Sequence, residues 1–148
     1  MTTAGNMKNK KGNDMNITYS DTKEFSPQQL QDLFLSLDWS SGHYPDKLTK
    51  AMKNSDTVYT AWDEDRLVGL INVLDDGIMT AYIHFLLVMP AYQSKGIGNK
   101  LIRLIKEKYD DYLRIIVISY SDKTNFYESC GFDIGHNETA MFITSLLN

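Results

Sequence analysis

After a polar start, apolar positions along this chain recur with two periods, one near two residues and one near 3.6. Residues 1–14, MTTAGNMKNKKGND, carry almost no apolar side chains and read as a disordered extension or a cloning remnant. Met15 has the look of a natural start, so the domain is expected over 15–148. A first strand is predicted at Ile17–Ser20. Ser26-Pro27-Gln28-Gln29 is a helix start, with Ser26 as cap, Pro27 at the first position and Gln29 closing a capping box. That helix should run through Leu37. Pro45 opens a second helix to Asn54, with Leu48, Ala51 and Met52 inward. Three strands follow at Thr57–Asp63, Leu67–Leu74 and Ala81–Val88, turning through Asp63-Glu64-Asp65-Arg66 and Asp75-Asp76-Gly77. Leu101, Ile102, Leu104, Ile105 and Tyr109 set a helical spacing over Asn99–Tyr109. The apolar run Leu113–Tyr120, LRIIVISY, predicts a strand buried on both faces. A short helix at Lys123–Cys130, stopped by Gly131, and a hairpin at Phe132–Ile134 and Glu138–Leu146 complete the pattern.

Length and composition narrow the class. One domain is the expectation for 148 residues, and 43% hydrophobic with 23% charged content is ordinary for a globular chain. No apolar run approaches the ~18 residues of a membrane helix, and no secretory leader follows the start. A lone cysteine, Cys130, excludes an internal disulfide and fits a cytoplasmic setting. No C-x-x-C or H-x-x-x-H pattern offers a metal ligand set, so no metal is expected. The net charge of −4 argues against non-specific nucleic-acid binding. Neither a membrane nor a nucleic acid is therefore an expected partner.

The chemistry concentrates at Gln93-Ser94-Lys95-Gly96-Ile97-Gly98, between a strand and a helix. Met89-Pro90 ends the strand, since proline cannot donate to a ladder. Glycines let a backbone approach a ligand closely, and the first N–H groups of a helix have no partner within it. Strand, glycine loop and helix together suit an anion such as a phosphate. The dinucleotide pattern GxGxxG and the nucleotide pattern GxxxxGK[ST] are both absent. A lone G-x-G would be read as a plain loop.

Two segments in register point further. VMPAYQSKGIGNKLI resembles the acetyl-CoA motif of the GNAT superfamily of N-acetyltransferases, Q/R-x-x-G-x-G/A, and Asn125-Phe126-Tyr127-Glu128-Ser129-Cys130-Gly131-Phe132 resembles that family's FYE-x-x-GF segment. With the element order βααβββαβαββ, the resemblance covers roughly residues 15 to 148. It implies an α/β fold, a GNAT-type mixed, mostly antiparallel central sheet flanked by helices. It also implies acetyl-CoA as cosubstrate and a primary amine, on a small molecule or a protein, as acceptor.

Carried over residue by residue, the resemblance places coenzyme binding on Gln93, Ser94, Lys95, Gly96, Ile97, Gly98 and Asn99. It places the main chain of Leu86, Leu87 and Val88 against the pantetheine and acetyl group. Tyr127 falls where the family keeps a tyrosine near the thioester sulfur, which implies a general acid. Arylalkylamine N-acetyltransferases have H-L-H-V-L-A-V where this chain has Tyr82-Ile83-His84-Phe85-Leu86-Leu87-Val88. The second histidine is kept, and His84 is the candidate base; a half-buried histidine bonded within the fold is the other reading. Simple alternation would put Tyr82, His84, Leu86 and Val88 on one face; water relayed from backbone carbonyls, or a carboxylate such as Asp75 or Asp76, would be the next candidate for the base. Many family members have an asparagine at the position of Tyr120, a departure in this chain. Trp39-Ser40-Ser41-Gly42-His43-Tyr44-Pro45 lies where the fold shapes its acceptor site, and W-x-x-x-x-x-P-x-x-L-x-x-A resembles a branch that includes plastid serotonin N-acetyltransferases. Trp39, His43, Tyr44 and Tyr82 are thus candidate acceptor contacts, or else a lid without substrate contact. Cys130 needs only a packing role. The leading expectation is a direct ternary-complex N-acetyltransferase; the alternative is an acyl-CoA-binding sensor without turnover. A homodimer is compatible with either.

Overall fold

A computed structural model of the protein describes residues 16–146, so the expectation for residues 1–14 lies outside it. Five strands form one sheet in sequence order: β1 (Ile17–Ser20), β2 (Thr57–Asp63), β3 (Arg66–Asp75), β4 (Thr80–Val88) and β5 (Arg114–Val117). The first four are antiparallel to their neighbours, and β5 runs parallel to β4. A parallel neighbour requires a crossover, supplied by helix α3 (Ile97–Lys108). Before it come α1 (Pro27–Ser36) and α2 (Pro45–Asn54), and after β5 a short α4 (Thr124–Ser129). The sheet is mixed and mostly antiparallel, as the residue pattern predicts.

The helices start where side chains and prolines direct. Ser26 Oγ accepts from the Gln29 N–H at 3.2 Å, and Gln29 Oε1 accepts from the Ser26 N–H at 2.9 Å. This is the reciprocal capping box. Leu30, Leu33 and Phe34 of α1 and Leu48 and Met52 of α2 are buried on one side of the sheet. Ile97, Leu101, Ile102 and Ile105 of α3 are buried on the other. Residues 67–73 of β3, covered from both sides, are all buried.

One irregularity rearranges the centre. Phe85 pairs with Asn72 and Ile83 with Val73, which leaves His84 opposite no residue of β3. This bulge switches the faces of β4. Ile83 shares its face with Val73, on the α3 side. Phe85 instead shares its face with Asn72, and its ring packs against Phe34 of α1 at 4.9 Å. Simple alternation across His84 therefore fails. Tyr82 and His84 lie on the α1 side with Phe85, whereas Leu86 and Val88 lie on the α3 side.

Two further expectations are corrected. The strand predicted over Leu113–Tyr120 is only four residues long, and its residues are half-buried or exposed. It is the sheet edge, with no strand among the described residues on its outer side, so the apolar run does not mark a central strand. The predicted closing hairpin is absent: residues 133–146 form neither strand nor helix and are all exposed. A strand needs a ladder to satisfy its N–H and C=O groups, and no strand of this sheet supplies one.

Candidate active site

The site begins where β4 and β5 part. Their pairing runs from Thr80–Arg114 to Ile83–Val117 and stops at the bulge. Beyond it β4 continues to Val88 with no partner on that side. The fork opens main-chain groups of the second half of β4, the segment Leu86–Val88 included.

The glycine loop closes the wide end of the fork. Pro90–Tyr92 makes one turn of 3-10 helix, and the chain then reverses through two left-handed residues, Ser94 (φ 63°) and Gly96 (φ 87°). Only glycine adopts the second without steric cost, while Ser94 carries backbone strain. Alternating handedness of this kind turns successive N–H groups toward a common concavity. Gly96 caps α3 with no side-chain hydrogen bond. The Lys100 N–H is the first of the helix to bond back, to the Gly96 carbonyl at 3.0 Å. The donors before it, with the positive end of the helix dipole, fit a pyrophosphate. Lys95 is exposed on the loop, and Lys100 lies over the Tyr19 ring at 5.7 Å from its centre. Gln93 has a structural partner: its amide donates to the Val88 carbonyl at 2.9 Å, tying the loop to the end of β4.

Helix α4 is docked onto this start of α3. A Cβ at Gly98 would stand 3.2 Å from Phe126 Cζ, so glycine here admits the Phe126 ring. The Cys130 thiol donates to Asn99 Oδ1 at 3.3 Å, and Lys106 Nζ donates to the Cys130 carbonyl at 2.8 Å. Cys130 is thus buried and engaged in packing. Tyr127 sits half-buried between Phe126 and Phe132, with ring centres 5.1 and 5.7 Å away. Burial, with a smaller contribution from the neighbouring Cys130, pushes its pKa up to about 12. The phenol therefore stays protonated through the neutral range.

On the α1 side an aromatic wall runs across the sheet. The Phe85 ring lies 5.6 Å from Trp39 and 4.0 Å from His84, which stacks in turn on Tyr82 at 5.8 Å. Trp39 also meets Tyr120, just beyond β5, edge-on at 5.9 Å. His84 is exposed on this wall, yet the surrounding protein desolvates it enough to lower its pKa below the ordinary 6.5. The structure thus gathers Tyr82, His84 and Trp39. It does not add His43 and Tyr44: both are exposed, and neither ring stacks on the wall. Phe85 and Tyr120 belong to the wall but not to the set of acceptor contacts read from the sequence. The bulge that turns Phe85 inward has no residue signature.

Asp75 and Asp76 lie at the opposite end of β4 and are engaged there. Asp75 accepts from the Tyr109 hydroxyl at 2.7 Å and from the Gly77 N–H at 2.8 Å. The N–H groups of Thr80, Met79 and Ile78 converge on Asp76 and hold its carboxyl below the usual range. Their role is to close the β3–β4 turn. Among the described residues no group of three or more His, Cys, Asp or Glu is placed to hold a metal ion. No helix there is long and apolar enough to cross a membrane.

Comparison with known proteins agrees with this architecture. Residues 21–141 match the acetyltransferase (GNAT) domain family. A chloroplastic GCN5-related N-acetyltransferase of Arabidopsis thaliana is 36% identical over 87 residues, covering 55% of this chain and 36% of that protein. The chain thus spans about a third of the length of that relative. A GNAT-family acetyltransferase from Streptococcus pneumoniae superposes with a TM-score of 0.75 at 26% identity, over 87% of this chain and 98% of its own. An aminoglycoside 6'-N-acetyltransferase in complex with coenzyme A shares the fold, with a TM-score of 0.66 at 19% identity over 80% of this chain and 86% of its own. Placement in the arylalkylamine branch gains no support from these relatives. The match over residues 21–141, the sheet that forks at β4, and the glycine-capped helix at the fork agree: the chain belongs to the GNAT acetyltransferase family.

Proposed function

We propose that the protein transfers an acetyl group from acetyl-CoA to a primary amine, by direct attack within a ternary complex. The observation that carries this reading is the fork: unpaired β4 main chain ends at a left-handed Gly96 and the open N-terminus of α3. That geometry suits a ligand with a pyrophosphate at one end and an amide-rich arm at the other. The family's coenzyme has both. The loop from Ser94 to Asn99 grips the phosphates through N–H donors, and the main chain of Leu86–Val88 lines the arm. A carbonyl held there is polarised by backbone N–H groups as negative charge develops on its oxygen.

Two side chains serve the proton chemistry. His84, neutral above its lowered pKa, accepts the proton of the attacking amine directly or through water. Tyr127 faces the other half of the reaction, departure of the thiolate. With its pKa near 12, complete proton transfer to a thiolate whose thiol has the ordinary pKa, ~8.5, is uphill by about 5 kcal/mol. Its best contribution is a hydrogen bond donated to the sulfur as charge accumulates, with solvent completing the protonation. The wall of Trp39, Tyr82 and Tyr120 borders the acceptor side and excludes water from it. A screen of amines by free-thiol release from acetyl-CoA tests the proposal. Release that depends on both the amine and an intact Tyr127 is expected; tight acetyl-CoA binding with no release by any amine would favour a sensor instead.

A further inference from the structure

The glycine loop is mounted on the β2–β3 hairpin. Tyr92 and Ile97 are buried, at 8% and 2% exposure, and residues 93–96 between them are exposed. These two side chains are the posts of the loop, and both stand on the hairpin. A Cβ at Gly69 of β3 would lie 3.1 Å from Ile97 Cγ2, so glycine there admits Ile97 against the sheet. The Tyr92 hydroxyl donates to Oδ2 of Asp63, the last residue of β2, at 2.5 Å. The guanidinium of Arg66, the first residue of β3, lies over the Tyr92 ring, 6.0 Å from its centre. Asp63 and Arg66 pair across the hairpin turn, which fixes this anchor at the end of the ladder. By accepting the bond, the Asp63 carboxylate raises the Tyr92 pKa above 10.0; burial adds to the rise and Arg66 opposes it. The phenol is therefore the donor throughout the neutral range.

Such posts matter because the loop between them is strained. Ser94 holds a φ of 63°, which its side chain disfavours. The N–H donors converge only while that turn persists. A loop free to relax presents them in a fraction of the molecules, and the apparent affinity for an anion falls by that fraction. We infer that Tyr92 is a positioning residue for the coenzyme: its bond to Asp63 holds the Ser94–Gly96 turn in the conformation that receives the pyrophosphate. The inference rests on the acetyl-CoA reading of the loop. It adds to that reading a residue that touches neither coenzyme nor acceptor and acts through the backbone two residues on.

Calorimetry of acetyl-CoA binding to the full chain tests it, beside steady-state kinetics with any amine that gives thiol release. Tyr92→Phe keeps the ring under Arg66 and removes only the hydroxyl. It should weaken acetyl-CoA binding about 10-fold and raise KM for acetyl-CoA with it. At saturating coenzyme, kcat should stay within about twofold of wild type, because the posts set loop occupancy and not the chemical step. Asp63→Ala should weaken binding equally, and the double variant no further than either single one, since all three lose the same bond. Asp63→Asn keeps a carbonyl acceptor and should restore most of the affinity. Leu70→Val trims a buried side chain on the opposite face of β3 from Gly69 and should bind as the wild type does. Unchanged affinity in a folded Tyr92→Phe overturns the inference. Losses that add in the double variant overturn it too, as does an equal loss in Leu70→Val at matched folded fraction. A folded wild type that binds no acetyl-CoA overturns the coenzyme reading itself, and the inference with it.

Discussion

The Phe85 N–H donates to Asn72 Oδ1 at 3.0 Å, where a main-chain carbonyl of β3 would ordinarily accept. Asn72 Nδ2 donates onward to Ser55 Oγ at 3.0 Å, and the Ser55 hydroxyl donates to the Ala51 carbonyl of α2 at 2.8 Å. Asn72 is 1% exposed, so these bonds are made away from solvent. A buried side-chain amide thus replaces the ladder bond lost at the bulge. It stabilises the switch of faces that sets His84 and Phe85 together and releases the rest of β4 from β5.

Asn72→Leu keeps the branched shape, with bulkier methyl groups, and removes both bonds. It leaves the Phe85 N–H and the Ser55 hydroxyl short of a partner, at a cost of about 1–3 kcal/mol in unfolding free energy. Urea titration should show the midpoint fall with an unchanged slope. If the bulge positions the site, kcat/KM should fall much further than in Leu70→Val, a core change one methylene smaller. Equal activities at matched folded fraction would restrict Asn72 to stability.

Gly96 and Gly98 should fail in different ways. A Cβ at Gly96 meets nothing within 4 Å, but its φ of 87° strains any L-residue, by roughly 1–2 kcal/mol. Gly96→Ala should therefore lower stability and acetyl-CoA affinity together, by relaxing the loop. Gly98→Asp presses on Phe126 and sets a carboxylate beside the phosphate donors. A carboxylate in the first turn favours the isolated helix, so the melting temperature should change little. Affinity for acetyl-CoA should drop at least ~10-fold, from repulsion. Calorimetry on the folded variant decides this; unchanged affinity would place the phosphates elsewhere.

Much of this is legible in the residues because the signals are local. Pro45 and the Ser26–Gln29 box fix helix starts. The strand predicted at Thr57–Asp63 and the helix at Pro45–Asn54 are found with those bounds. The glycine loop is legible for the same reason: positive φ leaves its mark as Gly96. What fails is non-local. The bulge at His84 depends on a side chain twelve residues earlier, Asn72, and so alternation misplaces Leu86 and Val88. LRIIVISY has the apolar content of a central strand, but its place at the edge depends on what the rest of the chain leaves uncovered. The closing hairpin fails likewise, since MFIT has strand propensity but no partner strand here.

Tyr127→Phe keeps the ring between Phe126 and Phe132 and removes only the hydroxyl. Loss of one donor aimed at developing charge should lower kcat about 100-fold with KM for acetyl-CoA nearly unchanged. Rates within twofold of wild type would make Tyr127 structural. The raised pKa adds a sign. The folded state holds the Tyr127 proton more tightly than the unfolded chain, whose value is 10.0. Its contribution to stability is whole below pH 10 and lost as pH rises toward about 12. Tyr127→Phe should therefore flatten the alkaline fall in stability over that window.

His84 should control the acidic limb of the kcat/KM profile. Desolvation disfavours the imidazolium, so the folded pKa lies below 6.5 and the limb's midpoint should too. Activity rises with pH through that midpoint because only neutral imidazole accepts the amine proton. The stability sign follows: a depressed histidine pKa stabilises the fold above pH 6.5, and that contribution declines as pH falls through the folded value. Fold and rate must therefore be followed together, by circular dichroism beside the assay. His84→Gln retains size and some hydrogen bonding without a base. It should erase the limb and lower the plateau, by ~100-fold if proton removal limits the rate. The acceptor amine's own ionisation can draw a similar limb, so two amines of different pKa are needed. A limb that moves with the amine in wild type and persists in His84→Gln would assign it to the substrate. Proton removal would then fall to water held by the open carbonyls of the β4 fork.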